Sequence, residues 1–288
     1  MPFNGMVGWA YAAPTAAIVG GLFIAPLVMM AWMSLNHWPL IGDHDFGGLD
    51  NYRAVAHNDL VVQAVGFTLE YTLVVTVVLT VLGLGLALLV QEGHRGVGIF
   101  RTAFFLPTSV GLAAASLLFL GLYSVQIGPL DPFFRQIGLA HGEIDWLGTP
   151  ASALFSSIAL IVWRFAGFDM ILLLVGLSRI PTDLYEAARI DGASWIQTFR
   201  RITLPLLRPS LAMVLILTIT GSLLAFDQFY ILTRGGPANS TVSIVIVIYR
   251  EAFTRFNLGT AAALSLLTMA ALVALNSVQL RLLRGESN

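Results

Sequence analysis

Three ionisable residues stand inside long apolar runs of this chain: Arg164 and Asp169 in one run, Asp227 in the next. A charge in hydrocarbon is costly unless it is paired or wetted, so each marks a structural ion pair or a polar pathway. Pairing would join Arg164 to Asp169 or to Asp227 across a helix interface. The neighbours of Asp169 leave two uses open. It follows Gly167 and Phe168, with Trp163 and Phe165 close by, and a small residue among aromatic ones suits either a ligand ring or an adjacent helix. In the following run, Thr218, Thr220, Ser222, Asp227 and Gln228 fall within about three helical turns. Such side chains bond their own backbone, join helices, or line water. Five so close together favour a wetted, pathway-facing side.

Other chemistry is excluded by what the chain lacks. It has no Cys, and all fifteen of its basic residues are Arg. Disulfides, thiol catalysis, thiolate metal sites and a lysine-bearing phosphate loop therefore do not arise, and the chain does not bind ATP in that mode. His37, His44, His57, His94 and His141 all fall in loops, without the paired helical spacing of a zinc site. An intramembrane enzyme would need paired carboxylates or a Ser/His dyad within its spans, and the histidines lie outside them. No catalytic set is present.

A second cluster has the chemistry of a docking element. Asp183 is positioned to cap a helix whose third residue is Glu186, and Gly192 suits the left-handed turn that stops that helix. Ser194 with Gln197 repeats the capping pattern and opens a second short helix that Pro205 is expected to limit. The result is a helix–Gly–helix elbow, suited to insertion into another protein.

The elements that must position these residues are membrane spans. The chain has 288 residues, 57% hydrophobic and only 11% charged, against roughly a quarter charged in soluble domains. Its mean hydropathy is +0.82. Crossing about 30 Å of hydrocarbon takes about 20 apolar residues in a helix. Six regions qualify: Trp9–Met33, Phe67–Val90, Phe104–Tyr123, Ala151–Leu177, Ser210–Leu232 and Leu258–Leu280. The first is too long for a cleaved signal peptide and lacks a basic leader, so it reads as a retained span, kinked at Pro14 and Pro26. Val242–Tyr249 is apolar but too short to cross, and reads as interfacial or re-entrant. Gly235-Gly236-Pro237 closes the fifth span.

Arginine placement sets the orientation. With the N-terminus inside, the inner segments hold Arg95, Arg101, Arg179, Arg189, Arg200, Arg201, Arg208, Arg281 and Arg284; the outer loops hold Arg53, Arg135, Arg234, Arg250 and Arg255. The excess on the inner side favours both termini in the cytoplasm. The fold class is all-α, a polytopic membrane protein read as one transmembrane domain over residues 1–288 with its elbow at 181–205.

These residues carry a family resemblance. Glu186, Ala187, Ala188, Gly192, Ile202, Leu204 and Pro205 fill every fixed position of the E-A-A-x-x-x-G-(nine residues)-I-x-L-P signature of ATP-binding-cassette importer permeases. Leu49-Asp50-Asn51-Tyr52, Phe100-Arg101-Thr102-Ala103-Phe104-Phe105-Leu106-Pro107, Trp163-Arg164 and Leu232-Thr233-Arg234-Gly235-Gly236-Pro237 are similar to the carbohydrate branch, of maltose and glycerol-phosphate type. The resemblance implies a type I importer permease fold with six transmembrane helices, in a bacterial or archaeal cytoplasmic membrane. It also implies a second homologous permease, two ATPase subunits that hold ATP and Mg, an extracytoplasmic solute-binding protein and surrounding lipid, with no nucleic acid and no cofactor in this chain. Glu186, Ala187, Ala188, Asp191 and Gly192 would make the ATPase contact. The expected substrate pathway is Trp163, Arg164, Gly167, Phe168, Asp169, Met170, Thr218, Gly221, Ser222, Ala225 and Asp227. A sugar is the implied substrate class. Glycerol-3-phosphate or glycerophosphodiesters are the alternative, since Arg164 would meet a phosphate; a lone channel would leave the elbow without a partner.

The orientation has a direct check. A cysteine replacing Ser287 in this cysteine-free chain is expected to react with impermeant thiol reagents only from the cytoplasmic side; labelling of intact cells from outside would overturn the span count.

Overall fold

The computed structural model describes residues 5–91, 96–139 and 142–284; His94, Arg95, His141 and Ser287 lie outside the described residues. In hydrocarbon every backbone amide and carbonyl must find a partner within the protein, and helices achieve this locally. The ordered elements described are accordingly helices, apart from one short hairpin.

In chain order, α1 (Gly5–Val19) passes through a π turn at Gly20–Ile24 into α2 (Ala25–Ser34). Strands β1 (Asn36–His37) and β2 (Asp45–Phe46) pair antiparallel, and α3 (Asp50–Ala56) follows. Next come α4 (Asp59–Leu89), α5 (Val97–Phe105), α6 (Leu112–Leu122), α7 (Leu130–Gln136) and α8 (Pro150–Leu177). The elbow contributes α9 (Thr182–Ile190) and α10 (Trp195–Thr198); then come α11 (Leu204–Leu223), α12 (Asp227–Leu232), α13 (Ile244–Tyr249) and α14 (Leu258–Arg284). Among the described residues, five helical stretches are long and apolar enough to cross a membrane, and the α5–α6 pair makes a sixth if it counts as one span.

Two of the expected proline breaks become π turns. Pro26 and Pro205 each stand two residues beyond such a turn, at Gly20–Ile24 and Phe199–Thr203. Proline lacks a donor and crowds the carbonyl four residues back. The wider turn shifts the bonding, so that Ala25 donates to the Gly20 carbonyl and Leu204 to that of Phe199. Pro205 therefore does not limit the second elbow helix as expected. The helical path runs on from Trp195 through α11.

Two expected spans are broken rather than straight. Phe104–Tyr123 was expected as one helix, but α5 and α6 meet at 97° around Pro107 and Gly111. The chain there is extended at Val110. Ser210–Leu232 is also interrupted, with α11 ending at Leu223 and α12 beginning at Asp227.

The chain groups into two compact units. One comprises Met1–Val62 with Val247–Ala271, the other Gln63–Ile246 with Leu272–Asn288. In the first, Asn51 is a buried hub. Its amide donates to the carbonyls of Ser34 (2.9 Å) and Asn36 (2.8 Å), and its oxygen accepts from the Thr260 hydroxyl (3.2 Å). The neighbouring Tyr52 hydroxyl shares a hydrogen bond with Ser34 Oγ (2.8 Å). These contacts fasten the end of α2 to α3, and Asn51 also reaches α14, giving the Leu49–Tyr52 stretch its structural use. His37, expected in a loop, instead lies on β1, 3.0 Å from Asp45 on β2, and that hydrogen bond raises its pKa.

In the second unit the core is made where α4, α8 and α11 meet. Ala87, Met170, Leu173, Leu177, Leu207 and Val214 are buried there together. Small residues allow the close approaches. A Cβ on Gly167 would run into the backbone of Phe104 and Phe105, and one on Gly176 into Ser210 and Leu207. Thr149 starts α8 with a reciprocal cap, and Tyr123 donates to the Ser156 carbonyl (2.8 Å). The short apolar segment Val242–Tyr249 folds partly as α13 and is buried rather than interfacial at Val242, Ile244 and Ile246. The Ile244 amide donates to Thr68 Oγ1 on α4 (3.1 Å).

Gly167→Ala is expected to destabilise the chain by about 1–3 kcal/mol, because the new methyl must displace backbone of α5. Gly221→Ala meets nothing within 4 Å and should leave stability unchanged or slightly raised. Thermal melting of the two variants in one detergent compares them; equal melting points would contradict the close α5–α8 contact.

Candidate functional site

The interruption between α11 and α12 borders a cavity in the second unit. Non-helical backbone at membrane depth is tolerated where it is buried by protein or lines a wet space. Here it is buried by protein and borders a cavity. The freed Ala225 carbonyl accepts a hydrogen bond from the buried Ser243 hydroxyl (2.6 Å). The segment Leu224–Gln228 then forms part of the wall of a cavity of about 270 Å³, bordered also by α4, α6, α8 and α11.

The wall is mainly apolar, with a few polar groups converging on it. Asp169, 2% exposed, accepts from the Thr218 hydroxyl at 3.4 Å. Gly83 on α4 makes room for it, since a Cβ there would come within 2.8 Å of the Asp169 Cβ. Gln228 is equally buried and donates through Nε2 to the Tyr71 hydroxyl (3.1 Å). Tyr71 is itself held edge-to-face against Phe229, with centroids 4.8 Å apart. Ser222, Gly221, Ala225 and Asp227 complete the polar and small-residue side, with Phe165 and Phe168 opposite in sequence on α8. Groups of this kind position a small polar molecule without reacting with it. No cluster of His, Asp and Glu suited to a metal is found among the described residues.

Of the residues expected along the pathway, Phe168, Asp169, Thr218, Gly221, Ser222, Ala225 and Asp227 line this cavity. Four do not. Met170 is fully buried in the α4–α8–α11 core, and Gly167 is the contact point with α5. Trp163 lies against Phe119, with centroids 5.3 Å apart. Arg164 forms no ion pair with Asp169 or Asp227 among the contacts described. Its Nε donates to the Val110 carbonyl (2.8 Å), its own carbonyl accepts from Thr108 (2.9 Å), and its guanidinium rests 4.4 Å from the Phe165 ring centre. The cation thus satisfies the backbone freed by the α5–α6 bend. Thr220 also turns away, donating to Asn276 on α14 (3.1 Å).

Sequence reasoning missed Tyr71, Val75 and Leu79, which line the cavity from α4. Their spacing of four marks one helix face, but nothing in the sequence says which helix that face meets. Gln228 carried a signal, its polarity beside Asp227, yet was not placed in the site.

The elbow departs from expectation at one end only. α9 begins at Thr182 after Pro181 and has no side-chain cap, so Asp183 lies inside the first turn, where a negative charge favours the helix dipole. Its other end is a Schellman turn: Gly192 has φ of +71°, Ala193 N–H bonds the Ala188 carbonyl, and Gly192 N–H bonds that of Arg189. Ser194 and Gln197 form the reciprocal cap of α10. Glu186, Ala187, Asp191 and Gly192 are exposed, whereas Ala188 is buried against the body of the protein. The elbow also presents Ile190, 85% exposed, with Trp195 and Ile196. Tyr185, within hydrogen-bonding distance of the Thr203 hydroxyl (3.2 Å), holds α9 against the base of α11.

The comparisons with known proteins agree with this arrangement. Residues 71–286 match the family described as binding-protein-dependent transport system inner membrane component. The multiple sugar-binding transport system permease protein MsmF of Streptococcus mutans is 33% identical over 96% of this chain and 94% of its own length. The trehalose/maltose transport system permease protein MalF of Thermococcus litoralis is 34% identical over 96% and 92%. Among solved structures, a chain of a bacterial ABC transporter involved in import of the acidic polysaccharide alginate superposes with a TM-score of 0.86, covering 98% of this chain and 96% of that one; at 21% identity the likeness concerns the fold. The signature elbow, the helical spans and these matches along nearly the whole chain lead to one conclusion: it belongs to the binding-protein-dependent inner membrane components, the permeases of ATP-binding-cassette importers.

Proposed function

We propose that this chain is one of two permeases of an ATP-driven sugar importer in a bacterial or archaeal cytoplasmic membrane, with both termini in the cytoplasm. It works as a single transmembrane domain without catalysis or cofactor of its own. A second, homologous permease completes the translocation pathway, and two ATPase subunits that hold ATP and Mg dock under the elbow. A solute-binding protein delivers the sugar from outside.

The observation that carries this reading is the continuity between elbow and cavity. From Trp195 the helical path runs through α10, the π turn and α11 to Ser222, a length of about 40 Å. One end carries the exposed Ile190, Trp195 and Ile196 beside Glu186 and Asp191. Exposed apolar surface of this kind marks a docking site. The other end carries Thr218, Gly221 and Ser222 on the cavity wall. A displacement imposed on the elbow by an ATPase is passed along this rod to the wall, where the α11–α12 interruption lets the outer segment move separately. The sugar class is supported by the names of the two curated relatives and by a wall of aromatic rings with hydroxyl, amide and carboxyl groups between them. The phosphate alternative loses its residue, since Arg164 holds the Val110 carbonyl and is not on the wall.

Two substitutions separate the functions of the rod's ends. Gly192→Trp puts bulk at the elbow where no described group lies within 4 Å of a Cβ, so the spans should insert normally while uptake is uncoupled from ATP hydrolysis. Normal uptake by that variant would contradict docking at the elbow. Ser222→Trp fills the cavity. The assembled complex should be recovered in normal yield, with ATPase still stimulated by the binding protein, while uptake falls at least tenfold; loss of assembly instead would reassign Ser222 to helix packing.

A further inference from the structure

The inner angle of the elbow holds another cavity, of about 580 Å³, within the roughly 300–1,000 Å³ of small-molecule sites. It is bordered by Leu88 and Gln91 at the end of α4, by Thr182, Tyr185 and Arg189 on α9, and by Trp195 and Thr198 on α10. The spans that end at it set its depth. Leu88 is among the last residues of α4, Gln91 follows that helix, and the lining residues Phe199 and Thr203 come just before α11. Where apolar runs end, hydrocarbon gives way to lipid headgroups, and Trp and Tyr are enriched there. Trp195 stacks on Phe199 at this level, with ring centres 5.3 Å apart and planes 6° from parallel.

The polar side chains of this wall are largely unspent. Tyr185 and Thr203 share a hydrogen bond, but Gln91, Thr182, Arg189 and Thr198 make no side-chain hydrogen bond or ion pair among the described contacts. Among the described lining residues Arg189 is the only cation and no carboxylate is present, although the elbow carries Asp183, Glu186 and Asp191. One guanidinium balances a phosphodiester, which bears a single negative charge; a phosphomonoester would bring about 1.5 to 2. The threonine hydroxyls and the glutamine amide both donate and accept, as recognition of a hydroxylated headgroup requires. We propose that this cavity binds the headgroup of an anionic glycerophospholipid of the phosphatidylglycerol kind. Arg189 meets the phosphate, and Gln91, Thr182 and Thr198 meet the headgroup hydroxyls. Basic pockets at the ends of membrane helices suit such headgroups. The lipid ties the end of α4 to both helices of the elbow, so it braces the element on which the ATPases would act. The site is separate from the cavity beside α12 and does not depend on which sugar is carried.

The test uses the assembled importer in phosphatidylcholine vesicles doped with phosphatidylglycerol that carries a photoreactive group in its headgroup. Crosslinked peptides of this chain are identified by mass spectrometry. Labelling is expected within residues 88–91 and 182–199. Unlabelled phosphatidylglycerol should suppress it at a concentration at least about tenfold below that of added phosphatidylcholine. Arg189→Gln, at an exposed position that leaves assembly intact, should lower the yield at limiting probe by about tenfold. Soluble glycerophosphoglycerol, which has no acyl chains, should not compete. Equal suppression by the two lipids, or an unchanged yield in Arg189→Gln, overturns the proposal. Competition by the soluble headgroup overturns the lipid as its source. No labelling in the complete complex, with labelling once the ATPase subunits are removed, means that an ATPase fills the cavity and also overturns it. Uptake is not part of the readout, so failure of the sugar assignment leaves the result standing.

Discussion

The structure depends on a single constraint: a helix interrupted inside a membrane must find partners for the backbone groups it releases. Each interruption has a named side chain that supplies one. Arg164 donates to the Val110 carbonyl at the bend between α5 and α6, and Ser243 donates to the Ala225 carbonyl between α11 and α12. At the end of α2, Asn51 donates to the carbonyls of Ser34 and Asn36. An unsatisfied carbonyl in hydrocarbon costs several kcal/mol, more than the net gain of most single contacts. These side chains therefore decide where the chain is free to break. The two proline sites obey the same constraint by a local route, a π turn that reassigns the bonding partners.

The functional geometry follows from where the breaks fall. The interruption of α11 turns a packed helix into a wall, and the small residues Gly221, Ser222 and Ala225 keep the space beside it open. Below the break, α11 continues through a π turn into the elbow, so the cavity and the exposed face of the elbow lie at two ends of one helical path. The bend at Pro107 sets α6 at a steep angle to α5, while Gly167 lets α5 press against α8. In this fold, rigidity at the core and freedom at the breaks are complementary. The buried Met170, Leu173 and Leu207 hold the lever's mounting, while the segment from Leu224 to Phe226 is left without regular structure beside the cavity.

Much of this was legible in the residues. Apolar run length located the spans, because the bilayer sets a minimum that no other local rule imitates. The elbow was legible from Gly192 and the Ser194–Gln197 pair, since capping and left-handed turns are local chemistry. What the sequence concealed was pairing between distant elements. Arg164 read as a partner for Asp169 or as a phosphate ligand, yet its partner is a carbonyl 54 residues away, exposed only because the chain bends there. Gly167 read as room for a ligand ring or for an adjacent helix, and it is room for the backbone of Phe104 on α5. Tyr71 gave no sign at all, because its role depends on Gln228, 157 residues further on. Asp183 was misread through a boundary, with α9 starting at Thr182.

The most direct test of this account is an electron cryo-microscopy structure of the assembled importer, trapped with its sugar after closure of the ATPases. The account predicts sugar density beside the α11–α12 interruption, with hydroxyls within hydrogen-bonding distance of Asp169, Ser222 and Gln228. A trapped complex in which this cavity is filled by protein side chains, with the sugar held elsewhere, would contradict it.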